Sequence, residues 1–405
     1  MMTGLDESLS LRHAETTLAS HEIFGDWRPI INRALTFYYR GIEALAEHLP
    51  AANSFLRAMR QATDERLYRV LGDPVVRFHI YHALERLKNG ALLSPDEVEP
   101  VLDAAAPFFD EGVSVAPLQA SNRPMPCIGT GHYQAWVWCD DRPEGLLRQQ
   151  FRSLFEREIA TKISTTPAVI RTPDDRMKQT LAEGCQLLFD LLPELAASVL
   201  AHVHLIVVVD VADRRQWAQP RRRDLSESLS NFLIPGTIFL SPTPLSTPWG
   251  VAEALLHEAA HKKIHDLAVT RAIFRDGYAA HTSPTVRSIW NRPLTWNPNE
   301  WAIDRALFAF HVYVHLGLFF KLIEGRVAEL GPIYGPLSGL DPEAATRRSC
   351  DRARYLGHEV KQSAGAELTR EGYDLNDWLL DILDAIDPAP PPSDLHARLL
   401  APASA

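Results

Sequence analysis

Residues Thr247 to His261 read Thr-Pro-Trp-Gly-Val-Ala-Glu-Ala-Leu-Leu-His-Glu-Ala-Ala-His, which writes HExxH into a segment that carries its own helix start. Thr247 is placed to cap the helix and Pro248 has no amide hydrogen to satisfy in the first turn. Val251, Ala254, Leu255, Ala259 and Ala260 then favour burial. Any fold of this chain must therefore bury one helix along most of its girth while two imidazoles share a face. His257 and His261 lie one turn apart, with Cβ atoms about 5–6 Å from each other. Two ring nitrogens at that spacing can converge on one cation, while Glu258 points about 100° around the helix. A third ligand must come from elsewhere in the chain. The competing reading of the same residues is a buried helix whose histidines are satisfied by ordinary core hydrogen bonds.

A chain of 405 residues with 46% hydrophobic content can bury a large core and hold two packed subdomains. Its net charge of −10 argues against a nucleic-acid groove, because phosphate contacts need clustered Lys and Arg. The run Arg221, Arg222, Arg223 is too short to reverse this and reads as a solvated loop. Cys127, Cys139, Cys185 and Cys350 are widely separated and form no CxxC, which points to reduced thiols rather than a zinc ribbon or iron–sulfur cluster. The N-terminus Met-Met-Thr-Gly-Leu-Asp-Glu-Ser has no apolar core and is not expected to be a signal peptide. Apolar runs such as Leu205 to Val209 are too short to span a bilayer. These features predict a cytoplasmic protein with neither nucleic-acid nor membrane partner.

Apolar residues recur at helical spacing through Ala34, Phe37, Tyr38, Ile42 and Leu45, and again through Phe78, Ile80, Tyr81, Leu84 and Leu87. Ser94-Pro95-Asp96-Glu97 predicts another helix start with a capping box. Short apolar runs around Ala135–Trp138, set among Pro and Gly, predict a hairpin or loop region. Helices are expected over about 144–163 and 173–200, strands at Val203–Val209 and Thr237–Leu240, and a long apolar helix from Trp301 to about Leu330. Two further helices follow, starting at Asp341-Pro342 and over Leu375–Ile386. The fold class predicted is α+β, mainly α, with a helical N-terminal half and a zincin-like HExxH helix beside a small sheet. The expected division is 1–115 as a helical subdomain, 116–387 as the metal-binding catalytic domain, and 388–405 as a Pro-rich tail. By analogy with zincin-type sites, the two strands offer an edge for an extended peptide.

Four residues can supply the third ligand. His265 lies on the same helix but about 80° off the ligand face. Glu300 sits in Asn299-Glu300-Trp-Ala-Ile-Asp304, which resembles the NExxxD element of gluzincin peptidases, where the Glu binds zinc and the Asp orients a ligand histidine. His311 and His315 lie one turn apart on an apolar helix, where an unpartnered imidazole is costly. His311 leads, followed by Glu300 and His315.

Leu256-His257-Glu258-Ala259-Ala260-His261, Gly236-Thr-Ile-Phe-Leu-Ser241, Ser283-Pro284, Arg292-Pro293 and the Leu307-Phe-Ala-Phe-His311 helix together mark a resemblance. Over roughly Val203 to Phe320 the chain resembles the α-ketoglutarate-dependent HExxH-type peptide β-hydroxylases, peptide-modifying enzymes of ribosomal peptide (RiPP) biosynthesis. That resemblance implies a dioxygenase in which His257, His261 and a downstream histidine, His311, bind iron(II), an arginine grips the cosubstrate, and the partner is a peptide such as a ribosomal precursor.

The chemistry makes the same demands independently. A non-haem iron oxygenase needs protein ligands on one face, with open positions for α-ketoglutarate and dioxygen. The cosubstrate's distal carboxylate needs a cationic fork. Arg292, Arg287 and Arg305 lie between the two histidine pairs in sequence, and Arg292 is favoured. Trp290, Trp296 and Trp301 can line a dry pocket or simply pack under a loop. The rival is a gluzincin-like zinc peptidase with Glu258 as general base and Glu300 as third ligand. A third reading is a peptide-binding module whose metal site is vestigial.

Overall fold

Among the described residues of the computed structural model, the periodic apolar faces of the sequence become 13 helices beside a small mixed sheet, an α+β fold that is mainly α. The structure describes residues 4–110, 127–130, 133–139, 145–160, 168–211, 228–230, 234–290 and 299–390. Two compact units interleave along the chain. One, the sheet unit, comprises residues 28–185 and 200–254; the other, the HExxH unit, comprises 1–27, 186–199 and 255–405.

In the sheet unit, α2 (Trp27–Ala46) buries Ile30, Ile31, Ala34, Tyr38, Gly41, Ile42 and Leu45, the stripe expected of a helix with one apolar face. It is followed by α3 (Pro50–Met59), α4 (Asp64–Leu71), α5 (Pro74–Lys88) and α6 (Pro95–Ala105). Asp73 caps α5 by accepting from the amides of Val75 and Val76 at 2.9 and 3.2 Å. The predicted start at Ser94 is present, but the Ser94 hydroxyl makes no capping bond; its carbonyl accepts from Glu97 N–H at 3.0 Å, and Pro95 opens the helix. The segment read as one helix over 144–163 is α7 (Leu146–Phe155) continuing into a π-helical turn at Glu156–Ala160. The segment over 173–200 is broken ahead of Pro193 into α8 (Asp175–Leu191) and α9 (Pro193–Leu200), because Pro lacks the amide that would continue the ladder.

The hairpin predicted near Trp136 is β1 (Cys127–Thr130) with β2 (Tyr133–Val137). Strand β4 (Leu205–Val211) forms the centre of a sheet with β3 (Ala168–Arg171), β5 (Ser228–Ser230) and β6 (Thr237–Leu240). β4 runs parallel to β2 and β6, in register Leu205↔Thr237, and antiparallel to β3. Its unbroken run Leu205–Val209 is buried throughout, the composition of a strand covered on both faces. The strands expected to offer a peptide-binding edge do not: β6 lies between β4 and β5, so its ladder is already used on both sides. His204, just before β4, fills the space between two backbones. A methyl on Gly72 would stand 2.0 Å from His204 Cε1, and Gly236 turns with φ of 65°.

His79 on α5 is buried in this unit, and burial, followed by the charges of His82 and Arg157, lowers its pKa to about 4. The folded state keeps this imidazole neutral while the unfolded chain protonates near its ordinary value. Stability is thus lost as pH falls from about 6.5 toward 4, by roughly 1.4 kcal/mol per pH unit. His79→Gln, which cannot titrate, is expected to flatten that acid slope by one proton when urea unfolding is followed across the pH range; an unchanged slope would refute this origin.

In the HExxH unit, α1 (Gly4–Ser20), which the sequence reading passed over, is tied to the C-terminal region by Ser10 Oγ donating to Ala385 O at 2.9 Å. α10 (Pro248–Thr270) begins in the sheet unit, where the Thr247 hydroxyl accepts from Gly250 N–H at 3.1 Å as predicted, and enters the HExxH unit at Leu255. The loop-like stretch before Glu300 carries a two-stranded ribbon, β7 (Thr285–Arg287) with β8 (Glu300–Ala302). Trp301, read as the start of the long helix, belongs to that ribbon, and α11 begins after it (Ile303–Tyr334). α11 packs against α12 (Pro342–Ser363) and α13 (Arg370–Ile386). Gly357 permits the close approach: a methyl there would meet Phe310 Cζ at 2.7 Å. Asp341 caps α12 by accepting from Ala344 N–H at 3.2 Å.

Sequence runs alone understated α11, which among the described residues is the helix with the length and composition to cross a membrane; 78% of its most apolar window is buried, so it serves as the core helix of its unit. Cys139, Cys185 and Cys350 are buried free thiols, and burial pushes Cys185 up to about 11 and Cys350 up to about 12. Arg221–Arg223, Arg292, Trp296 and the tail beyond residue 390 lie outside the described residues.

Candidate metal centre

α10 is enclosed on most sides, yet one residue per turn keeps partial solvent contact: His257, His261 and His265, amid buried Leu256, Glu258, Ala259, Ala260, Lys262, Lys263 and Ile264. The rings of His257 and His261 have centroids 5.2 Å apart and tilted by 48°, as the one-turn spacing requires. His265 follows at 6.2 Å from His261 and rests its ring on Phe308 at 5.6 Å. Burial, followed by the charges of His257, His265, Lys262 and Arg305, holds His261 well below the usual imidazole pKa. A neutral ring has a nitrogen lone pair to offer a cation. His265 is pushed down to about 3, chiefly by burial and then by Lys262.

Glu258 is 2% exposed, and its Oε1 lies 3.8 Å from His257 Nε2, too far for a hydrogen bond but on the flank of the ligand nitrogen. Lys263 leaves the helix on another side: its ammonium donates to Leu18 O, Gly25 O and Ser198 Oγ at 3.0, 2.7 and 2.8 Å. Burial lowers its pKa to about 7, against the raising effect of Asp26.

The residues proposed to complete the site separate into two groups. Arg305 is an exposed residue in the first turn of α11. Its charge bears on His261, and its guanidinium lies over the Trp301 ring at 4.7 Å. Arg287 and Glu300, read as cosubstrate clamp and third ligand, instead meet each other on the ribbon with 3.9 Å between Nε and Oε1, and Glu300 Oε2 accepts from Thr285 Oγ1 at 3.0 Å. Asp304, the acidic partner of the NExxxD pattern, accepts from Arg305 N–H at 2.8 Å and so serves the start of α11. Arg292 lies outside the described residues.

His311 and His315 form their own pair on α11, with ring centroids 4.2 Å apart, both fully buried. His315 Nδ1 meets the His311 carbonyl at 2.7 Å, and burial, then Lys263, holds His315 at about 3. Thus each helix brings together its own two histidines, but among the described residues no three His, Cys, Asp or Glu side chains converge to hold one metal. His257 and His261 fit a divalent ion as two imidazole donors on one partly exposed face; the described residues do not supply a third.

Trp290 and Trp301 do come together, edge to face at 5.8 Å, and Trp290 also meets Tyr313 and Tyr355 at 6.0 and 5.7 Å. Arg352 joins them, 5.2 Å above Trp290. Nothing in the sequence marks Arg352 or Tyr313, which stand among many similar helical residues. In comparisons with known proteins, no family model matches the chain and no curated protein is significantly similar to it.

Proposed function

We propose that the chain is an iron(II)- and α-ketoglutarate-dependent oxygenase that hydroxylates the β-carbon of a residue in a peptide or peptide-like substrate, in a cytoplasmic setting. The observation that carries this reading is the HExxH pair itself: His257 and His261 hold their rings 5.2 Å apart on the partly exposed strip of α10, as two donors to one ion require. When bound, the metal and cosubstrate would supply oxidative decarboxylation of α-ketoglutarate to succinate and carbon dioxide, with one oxygen atom of dioxygen entering the substrate C–H bond. His257 and His261 are the side chains that would hold the ion. Arg305, whose guanidinium lies over the Trp301 ring, is the arginine this reading assigns to the far carboxylate. The neutrality of His261 keeps its nitrogen available without proton release.

One observation favours a second reading, a zinc peptidase. Glu258 stands buried with its carboxylate 3.8 Å from His257 Nε2, within reach of the position a general base needs. An anaerobic titration with iron(II) and α-ketoglutarate separates the two. The oxygenase is expected to develop a visible charge-transfer band at one iron per chain and to release succinate on admission of air. Stoichiometric metal with no band, together with peptide cleavage that Glu258→Gln abolishes, would establish the peptidase instead.

A further inference from the structure

Arg352 is 9% exposed, yet no carboxylate lies within 4.0 Å of it among the described residues. Two other arginines on α12 are paired: Arg347 with Glu343 at 3.2 Å, and Arg354 with Asp384 and Asp387 at 3.2 and 3.1 Å. Of its five N–H donors, Arg352 commits one, to Tyr313 Oη at 3.3 Å. The rest of its surroundings are ring faces, Trp290 at 5.2 Å and Tyr313 at 5.5 Å. Cation–π attraction offsets only part of the cost of burying a guanidinium, so an anion is the missing member of the set.

Two more donors stand without partners on the same ribbon. Trp301 Nε1 and Ser288 Oγ are buried and make no hydrogen bond. The register pairs Val286 with Trp301, and Ser288 N–H donates to Asn299 O at 2.6 Å, so Ser288 and Trp301 point from one face as diagonal neighbours. That face is the buried one, and it carries Trp301 to Trp290. Trp290 and Tyr313 keep partial solvent contact, so solvent reaches the edge of this cluster.

We propose that this cluster is a carboxylate-binding subsite: Arg352 receives the carboxylate bidentately, Trp301 Nε1 and Ser288 Oγ supply further donors, and Trp290 and Tyr313 flank the ligand's apolar body. The proposal does not rest on the metal reading. A carboxylate can come from a free diacid or from the terminus of a peptide, and the geometry at Arg352 is common to both.

Calorimetry on the full chain in metal-free buffer tests it with three probes: succinate, N-acetylphenylalanine and N-acetylphenylalanine amide. Binding of succinate identifies a free diacid as the source, and binding of N-acetylphenylalanine but not its amide identifies a peptide terminus. In either case Arg352→Gln is expected to weaken binding about tenfold or more, and Trp301→Phe, which deletes only the donor, about threefold to tenfold. Should Arg352→Gln fail to fold by circular dichroism, Trp301→Phe and Ser288→Ala decide the matter. Saturation by neither acid at about 10 mM, or affinities unchanged in the folded variants, would overturn the subsite whatever the outcome of the iron titration.

Discussion

His261→Ala is expected to weaken iron(II) binding about a hundredfold or more and to remove turnover, because one of the two imidazoles of the HExxH pair is lost and even outer partners of metal ligands are worth 10–100-fold. His311→Ala supplies the contrast. His311 is fully buried against His315 on α11, so its loss leaves a cavity and lowers stability by roughly 2–4 kcal/mol, but metal affinity should stay within about twofold of the parent. Metal titration and thermal melts on the two variants check both halves. Equal loss of metal in the two would restore the three-histidine triad that the sequence suggests and would mean that α11 presents a different turn to α10 in the loaded protein.

That contrast also marks where sequence reading succeeds and where it stops. The α10 start, the spacing of His257 and His261, and strand β6 at Thr237–Leu240 are local: a cap, a proline, a helical period and a short β-branched run specify them without reference to the rest of the chain. Helix α1 escaped notice because its buried face, with Leu11, Ala14 and Leu18, is thin against a polar sequence. The ribbon escaped because three-residue strands separated by a long connection carry no periodicity; only the pairing of Val286 with Trp301 defines them. The third ligand is a tertiary question. Which turn of α11 meets α10 depends on how two helices cross, and that crossing places Phe308 by His265, with His311 against His315. Sequence position left three arginines open; in the fold the Arg305 guanidinium lies over Trp301, while Arg287 faces Glu300.

Lys263 shows how far a residue's role can depart from its sequence surroundings. His-Lys-Lys on a helix reads as a solvated face, yet the Lys263 side chain is fully buried. Its ammonium gathers the carbonyl ending α1 at Leu18, the turn at Gly25 and the Ser198 hydroxyl of α9, three segments distant in sequence but all within the HExxH unit. Ser198 also donates to Gly25 O at 2.9 Å, so the lysine completes a small closed network. Lys263→Met keeps the apolar stem but leaves the Leu18 carbonyl without that donor and the network open. Destabilisation of roughly 3–5 kcal/mol is expected, since breaking a buried charged network strands its partners. Chemical unfolding measures it, and an effect under about 1 kcal/mol would show that water replaces the ammonium at no cost. Because this side chain departs from a different side of α10 than the His257–His261 pair, the folded fraction of Lys263→Met should bind metal as the parent does. Loss of metal in a fully folded Lys263→Met would instead tie the anchoring of α1 to the geometry of the histidine pair.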